Sequence, residues 1–359
     1  MMHFSTPGDV YNATPPRILF GVGCAAQVSN EVKRLNASRA LVISTPGREG
    51  LAQRIAHQLG SNCVGILPEA ISQVPIEMAR RGRKHVADSG ADCLVAVGGG
   101  ASIGLAKGVA LELGTPIINI PTTYSGSEMT GFCGITIDGI KRMHTSLNML
   151  AHTVIYDPEL TLGLPADVSA ASALNALAHC IDAVVVNTCS PIIAQAAYQG
   201  ANAISHSIER VVQNPQDIDA RTQALYGAYL SGAALTGGFA LQHGIAHVLG
   251  GSFAVSHGLS HALTLPHVAR FHARHFPEKI HPLAQAMGIE THEIGAAVFD
   301  LLRRTGLPTG LSQIGFDESN LDSAAQITIE TDNGETHAEL SYEIIRQMLD
   351  DIYQGVRPT

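Results

Sequence analysis

At 359 residues, 45% hydrophobic and 15% charged, the chain is long enough for two domains and apolar enough to bury a large core. Its net charge of -9 argues against nucleic acid and anionic membranes as partners, although a local cationic pocket can still hold a small anion. No apolar segment approaches the ~20 residues that span a bilayer, and the opening MMHFSTPG lacks the features of a signal peptide.

Apolar strands separated by helical patterns dominate residues 1–160. The strand candidates are Arg17–Phe20, Ala40–Thr45, Cys63–Leu67, Cys93–Val97, Pro116–Ile120 and Thr153–Tyr156. Helical patterns cover Ile76–Asp88 and Ala101–Leu113, and Asp138-Gly139 predicts a hairpin turn within Phe132–Ser146. Continuous apolar strands with intervening helices predict an α/β domain with a parallel, Rossmann-like sheet that is covered on both faces.

Strand patterns nearly disappear after Pro165, so we predict an all-α domain over residues 161–359. The helical candidates are Asp167–Asn187, Pro191–Val212, Arg221–Leu249 and Tyr342–Tyr353, with Asp167 or Ser169 as the cap of the first helix. Polar Thr328–Thr336 predicts a surface loop.

The six cysteines form no C-x-x-C pair, and most lie in apolar runs. This pattern is typical of buried free thiols in a reducing compartment. Together with the opening segment, it predicts a cytoplasmic protein.

A glycine-rich turn, Gly98-Gly99-Gly100, follows a predicted strand and opens a helix that carries Ser102. Glycines let the backbone approach a phosphate closely, and the helix N-terminus supplies free N–H groups and a partial positive charge. The position favours a pyrophosphate site over the plainer interpretation of a tight turn.

Two other segments invite similar interpretations with less force. Gly21-x-Gly23-x-x-Ala26 resembles a dinucleotide fingerprint, but a plain turn explains it better, since no acidic residue closes the strand Ala40–Thr45. Without that carboxylate, the site is predicted to accept both NADH and NADPH. The hydroxyls of Pro121–Glu128 follow another strand end and favour ligand binding and a simple turn about equally.

Histidines at helical spacing give the clearest functional signal. His243 and His247 are four residues apart, as are His257 and His261, so each pair lies on one helix face. Asn175 and His179 repeat that spacing upstream. A lone histidine is usually structural, but seven of the seventeen histidines lie between His243 and His275, which favours a functional pocket.

These residues resemble the iron-containing, or group III, alcohol dehydrogenases over most of the chain. Gly98 through Lys107 is similar to that family's GGGSxxDxAK segment. Leu164 through Ala183 is similar to its first metal-bearing helix, and His243 through Gly258 to its remaining metal and catalytic segment. The resemblance implies a dehydroquinate synthase-like architecture, a nicotinamide cofactor and a homodimer.

Departures from the family pattern resemble one branch, the maleylacetate reductases. Asn175 stands where the family has an Asp metal ligand, Ala101 and Gly104 replace its Ser and Asp, and Tyr124 enters a shortened PTTYSGSE loop. The resemblance implies reduction of maleylacetate, a small dicarboxylate, to 3-oxoadipate in the degradation of aromatic compounds, with NADH or NADPH.

The predicted site follows from the resemblance and the chemistry of these side chains. His243 and His247 would orient the substrate or donate a proton, His179 and His257 would bind a carboxylate or an enolate, and Tyr124 would lie beside the nicotinamide. The predicted cofactor-binding residues are Gly98, Gly99, Gly100, Ser102, Thr122, Thr123 and Thr45. Because a carboxylate ligand is missing, we expect no metal; if Fe or Zn is present, its ligands would be His179, His243, His257 and Asn175.

Two alternatives stay open at this stage. One is a metal-dependent alcohol or aldehyde dehydrogenase of the same superfamily, with Asn175 as a weak oxygen ligand. The other is a nucleotide-binding sensor without catalytic activity, which the number of histidines disfavours.

Overall fold

The computed structural model describes residues 16–332, 336 and 338–359. The opening segment, for which the sequence predicts no signal peptide, lies outside these residues. The described chain separates into two compact units that meet at Leu164–Pro165 in the sequence.

The N-terminal unit is built on a six-stranded parallel sheet. Its strands are β1 (Arg17–Phe20), β2 (Ala40–Ile43), β3 (Cys63–Leu67), β4 (Cys93–Gly98), β5 (Ile117–Pro121) and, after the hairpin strands β6 (Phe132–Ile137) and β7 (Ile140–Thr145), β8 (Thr153–Tyr156). The helices are α1 (Val28–Arg34), α2 (Glu49–Leu59), α3 (Ile76–Ser89) and α4 (Gly100–Leu113). The sheet order is β1-β8-β5-β4-β2-β3, which confirms the predicted parallel α/β fold.

Alternation of side chains along the central strands explains the covering helices. In β2, Ala40 and Val42 pack into one apolar cluster with Val32 of α1 and Ile55 of α2. On α3, a side chain in place of Gly82 would meet Val109 of α4 at 2.5 Å, so these two helices pack closely. Apolar burial on both faces is what the unbroken hydrophobic strands require.

The strand order brings the carboxyl ends of β2, β4 and β5 to adjacent positions at one edge. The chain leaves β2 for the outer strand β3 and then returns to β4 on the other side of β2, so the order reverses there. Open α/β sheets bind ligands at such a reversal, beyond the carboxyl ends of the strands.

The C-terminal unit is helical in its described part. Its helices are α5 (Ala166–Val185), α6 (Pro191–Gln213), α7 (Ile218–Leu235), α8 (Leu241–Ser252), α9 (His257–His275), α10 (Pro277–Ala286), α11 (Ile294–Arg304), α12 (Leu321–Asp332) and α13 (Tyr342–Gln354). Helix α5 packs against α6, α7 and α9.

Contrary to expectation, α5 is long and apolar enough by length and composition to cross a membrane. However, 89% of its most apolar 18-residue window is buried inside the fold. A helix that is apolar all round and covered on all sides is a core helix.

Three sequence predictions in this unit are wrong. The stretch Arg221–Leu249 is broken between α7, which ends at Leu235, and α8, which begins at Leu241, and Gly238 in this break has φ +115°, which a right-handed helix does not allow. Neither Asp167 nor Ser169 caps α5, since the helix begins after Pro165 and the Ser169 hydroxyl donates to the Pro165 carbonyl. The predicted loop Thr328–Thr336 is helical up to Asp332, and its residues 333–335 are outside the part of the chain that the structure describes.

Candidate active site

The glycine turn at the end of β4 has the shape of a phosphate cradle. A side chain at Gly98 (φ +143°) would lie 2.4 Å from Oγ of Ser102, and one at Gly99 would lie 2.8 Å from Cγ2 of Thr123. At Gly100, the start of α4, such a side chain would meet no atom of the described residues within 4 Å apart from its chain neighbours and its own helix, so space is open there. Because the N-cap residue Gly99 has no side chain to cap the helix, its first N–H groups are available to an anion.

Hydroxyl groups next to this turn fit the same use. Within the described residues, Oγ of Ser102 and Oγ1 of Thr123 are buried and lack a hydrogen-bond partner. Thr122 donates its N–H to the Gly98 carbonyl, which joins the ends of β5 and β4. Thr45 follows β2, the next strand in the sheet. The structure therefore brings the predicted cofactor residues to one edge of one sheet, and the residues present fit a dinucleotide.

The Gly21–Gly23 turn binds a carboxylate of the protein itself. Asp157 accepts hydrogen bonds from the N–H of Gly23 at 2.9 Å and of Ala25 at 3.0 Å. The protein's own carboxylate thus occupies the place that a ligand phosphate would take. The interpretation of this motif as a plain turn is confirmed.

A buried lysine braces the loop that carries Tyr124. Nζ of Lys107 donates to the carbonyl of Ser127 at 2.5 Å, to Oγ1 of Thr130 at 3.0 Å and to the carbonyl of Phe132 at 3.0 Å. Burial lowers the pKa of Lys107 to about 8. Tyr124 is itself fully buried. The loop after β5 is therefore part of the packed interior.

Five histidines from three helices of the C-terminal unit form what we call the imidazole cluster: His179 of α5, His243 and His247 of α8, and His257 and His261 of α9. Nδ1 of His179 lies 2.8 Å from Nε2 of His243. The His261 ring is central, with its centroid 4.7 Å from that of His243 and 4.7 Å from that of His257. The predicted convergence of rings from separate helices is what the structure has.

Exposure increases across the cluster. His179, His243 and His261 are buried, His247 is half-buried and His257 is exposed. Asn175, one helical turn before His179 on the same face of α5, is also buried. The cluster thus runs from the protein interior to the surface, with His257 at its outer end.

An acidic residue absent from the predicted site, Asp182, anchors the inner end. Its Oδ2 accepts from the N–H of Ala240 at 2.8 Å and from Nδ1 of His243 at 2.7 Å. Its Oδ1 lies 3.1 Å from Nε2 of His272. Burial alone would raise the pKa of Asp182, but the hydrogen bonds from His243 and His272 hold it well below its usual range. The carboxylate is therefore ionised.

His261 is the second residue that sequence reasoning left out. Its pKa lies well below the usual value, first because it is buried and then because four other imidazoles surround it, so the ring is neutral. Nε2 of Gln242 donates to the His261 carbonyl at 3.1 Å and to Oγ1 of Thr264 at 2.9 Å, which fixes its amide group. The same amide nitrogen lies 3.3 Å from Nδ1 of His261.

The predicted metal ligands do not fit a divalent cation in this arrangement. Nitrogen ligands of tetrahedral zinc are roughly 3.4 Å apart, given metal–nitrogen bonds of about 2.0–2.1 Å. Those of His179 and His243 are 2.8 Å apart and share a hydrogen bond. Asn175 supplies a neutral oxygen at most.

A different trio, His247, His257 and His261, has ring nitrogens within 4.8 Å of one another. Nε2 of His261 is buried and has no hydrogen-bond partner among the described residues.

Spacing contained a signal for both missed residues. Asp182 follows His179 by three positions and therefore lies on the same side of α5, and His261 was already part of the run at helical spacing. The sequence did not indicate the break before α8, which exposes the backbone N–H groups that donate hydrogen bonds to Asp182.

Comparisons with known proteins agree with this fold. The sequence model of the iron-containing alcohol dehydrogenases matches residues 15–158, and the model of the C-terminal part of the Fe-containing alcohol dehydrogenase family matches residues 169–353. The chain belongs to the iron-containing alcohol dehydrogenase family.

Within that family the chain falls in the maleylacetate reductase branch. A maleylacetate reductase from Burkholderia cepacia is 40% identical over 351 residues, which cover 98% of this chain and 99% of the relative. The crystal structure of maleylacetate reductase from Agrobacterium tumefaciens has a TM-score of 0.93 at 38% identity and covers 98% and 100% of the two chains. A crystal structure from Ralstonia eutropha JMP134, described as an alcohol dehydrogenase, has a TM-score of 0.95 at 43% identity and covers 99% and 100%.

Proposed function

We propose that this protein is a maleylacetate reductase that reduces its substrate to 3-oxoadipate with NADH or NADPH. The observation that carries the proposal is the similarity to maleylacetate reductases over nearly the full length of the chain. The imidazole cluster, with Asn175 in place of an acidic residue, supports it independently.

Maleylacetate contains a carbon–carbon double bond conjugated to a ketone and flanked by two carboxylates. When bound, NAD(P)H supplies a hydride to the β-carbon, and the electron pair of the double bond moves onto the ketone as an enolate. A proton added to the α-carbon completes 3-oxoadipate, so one hydride and one proton are consumed for each turnover. Hydrogen-bond donors stabilise an enolate without a metal.

The edge of the sheet holds the cofactor in this proposal. Gly98, Gly99 and Gly100 let its pyrophosphate approach the first N–H groups of α4, while Ser102, Thr122 and Thr123 supply hydroxyls. Thr45, which follows the end of β2, has a neutral side chain, so a 2′-phosphate would meet no carboxylate at that residue.

The imidazole cluster would hold the dianionic substrate. His247 and His257, the more exposed rings, orient its carboxylates, and the pair His179–His243 handles the proton. A carboxylate at position 175 would oppose this binding, since two like charges 4 Å apart repel by about 4 kcal/mol at an effective dielectric constant of 20. The amide of Asn175 removes that penalty, and a metal-free mechanism is consistent with the loss.

Absorbance at the NADH band, measured with maleylacetate in the presence and absence of EDTA, tests the proposal. We expect NADH consumption that survives exhaustive chelation. His247→Gln should lower kcat/KM for maleylacetate by at least about tenfold, whereas the exposed control His281→Gln should not. Complete loss with EDTA, restored by Fe²⁺ or Zn²⁺, would refute the metal-free mechanism.

The alternative is a metal-dependent alcohol or aldehyde dehydrogenase. It is favoured by the similarity to the Ralstonia eutropha structure and by the trio His247, His257 and His261. Metal analysis of the purified protein and an assay with ethanol or lactaldehyde separate the two functions.

Assembly and location are part of the same proposal. We propose a homodimer in the cytoplasm, on the basis of the resemblance to the family and the free thiols. Sedimentation of the purified protein measures its oligomeric state.

A further inference from the structure

The Asp182 carboxylate accepts more hydrogen bonds than an ordinary helix cap. Besides the contacts of Oδ2 with Ala240 and with Nδ1 of His243, Oδ2 accepts the His243 backbone N–H at 3.1 Å, and Oδ1 accepts the N–H of Gln242 at 3.3 Å and faces His272. The residue is fully buried. A buried carboxylate is tolerated only when such donors replace its hydration.

These contacts fix where the ring hydrogens lie. Because Oδ2 is an acceptor only, Nδ1 of His243 carries a hydrogen, and the tautomer with its hydrogen there leaves the lone pair on Nε2. That lone pair faces Nδ1 of His179 at 2.8 Å, so His179 donates there.

We propose that Asp182 is a positioning residue that sets the hydrogen-bond direction of the chain Asp182–His243–His179. Both ring nitrogens of His243 are engaged, Nδ1 by Asp182 and Nε2 by His179. The effect of Asp182 on kcat that we expect below rests on the proposed reduction of maleylacetate.

A purely structural role for Asp182 is the rival explanation, because the same carboxylate caps the first turn of α8. A cap would stabilise the fold without any preference for one tautomer of His243. The two roles therefore differ in what they predict for the histidine ring and for kcat.

The test compares two truncations around the same carboxylate, D182A and H272A, in the full-length enzyme. D182A removes the acceptor that holds the Nδ1 hydrogen of His243. H272A removes only a donor to the opposite oxygen, where Nδ1 of His272 has no hydrogen-bond partner among the described residues. The readouts are kcat and KM for maleylacetate, and ¹⁵N NMR of histidine-labelled protein with the His243 signals assigned by H243Q.

We expect wild-type His243 to be protonated at Nδ1, and D182A to lose this single tautomer. Its kcat should fall about 10- to 100-fold, the range typical of supporting hydrogen bonds at active sites, with little change in KM. H272A should keep both the tautomer and kcat. D182N, whose amide oxygen the N–H groups of Ala240 and His243 can hold, should retain more activity than D182A.

Two results would overturn the proposal: wild-type His243 protonated at Nε2, or a D182A enzyme that is less stable but retains the wild-type kcat. If D182A does not fold, the ¹⁵N NMR spectrum of the wild type and the kcat of D182N still test the proposal. The tautomer measurement needs no substrate, so it remains decisive even if the wild-type enzyme fails to reduce maleylacetate, which would refute the proposed function instead.

Discussion

At the scale of single residues, the proposed preference for an acidic substrate over a metal ion depends on Asn175. An amide has the shape of a carboxylate but carries no charge, and here it is buried one turn before His179. A divalent cation at this point would lack its only anionic ligand, whereas a dicarboxylate substrate would meet no repulsion. The fold need not change for the preferred ligand to change sign.

Asn175→Asp tests this argument. Restoring the carboxylate should raise the iron or zinc content of the purified protein and raise KM for maleylacetate, because the new charge attracts the cation and repels the dianion. Elemental analysis and steady-state kinetics measure the two effects. The exposed Asn148→Asp serves as the control for added charge, and an unchanged metal content would mean that residue 175 does not face the histidines.

At the level of elements, the glycine turn between β4 and α4 is the proposed binding site for the cofactor's phosphates. Gly98 and Gly99 are required by close contacts within the protein, since side chains there would meet Ser102 and Thr123. Gly100 is different, because among the described residues no atom outside its chain neighbours and the backbone of its own helix lies within 4 Å of an added methyl group. A glycine that the fold does not need is a useful probe of what binds there.

Gly100→Ala should therefore fold like the wild type and bind NADH at least about tenfold more weakly, because the methyl group meets the cofactor's phosphates and not the protein. Gly50→Ala is the matched control: it lies in the first turn of α2 and is equally open. Thermal unfolding and NADH titration by fluorescence measure both variants. Equal NADH affinity in Gly100→Ala and the wild type would count against a phosphate at this turn.

For the molecule as a whole, acid stability depends on buried carboxylates with several partners. Glu31 of α1 accepts hydrogen bonds from Arg17 of β1, Arg34 of α1 and Thr153 of β8. Burial would raise the pKa of Glu31, but these partners together lower it below the usual value. The ionised carboxylate therefore stabilises the folded state at neutral pH, and this contribution is lost as the pH falls through the lowered pKa.

Glu31→Gln should reduce the free energy of unfolding by roughly 1–3 kcal/mol at pH 7. The difference from the wild type should shrink below about pH 4.3, the ordinary pKa of glutamate, as the wild-type carboxylate becomes protonated. The exposed Glu77→Gln, on α3, is the control and should change stability little at either pH. Urea unfolding at a series of pH values gives the answer, and a pH-independent difference would contradict it.

Periodicity predicted most of the strands because their apolar runs are short and bounded by turn residues. It also predicted the shared faces of His243 with His247 and of His257 with His261. It failed at Thr236–Ala240, where flanking alanines and leucines hide a helix break that Gly238 imposes through its positive φ. Asp182 was missed for the same reason, since its partners are the N–H groups that this break exposes.

The order of residues along the chain by itself determined the parallel sheet, the glycine turn, the helical second unit and the imidazoles that share a helix face. Only the tertiary structure decided that three helices bring five of those rings together and that the buried Asp182 accepts a hydrogen bond from His243. It also decided that Asp157 accepts hydrogen bonds from the N–H groups of the Gly21–Gly23 turn. The reason is physical: spacing fixes directions within one helix or strand, whereas hydrogen bonds between residues 61 or 134 positions apart exist only after the chain has packed.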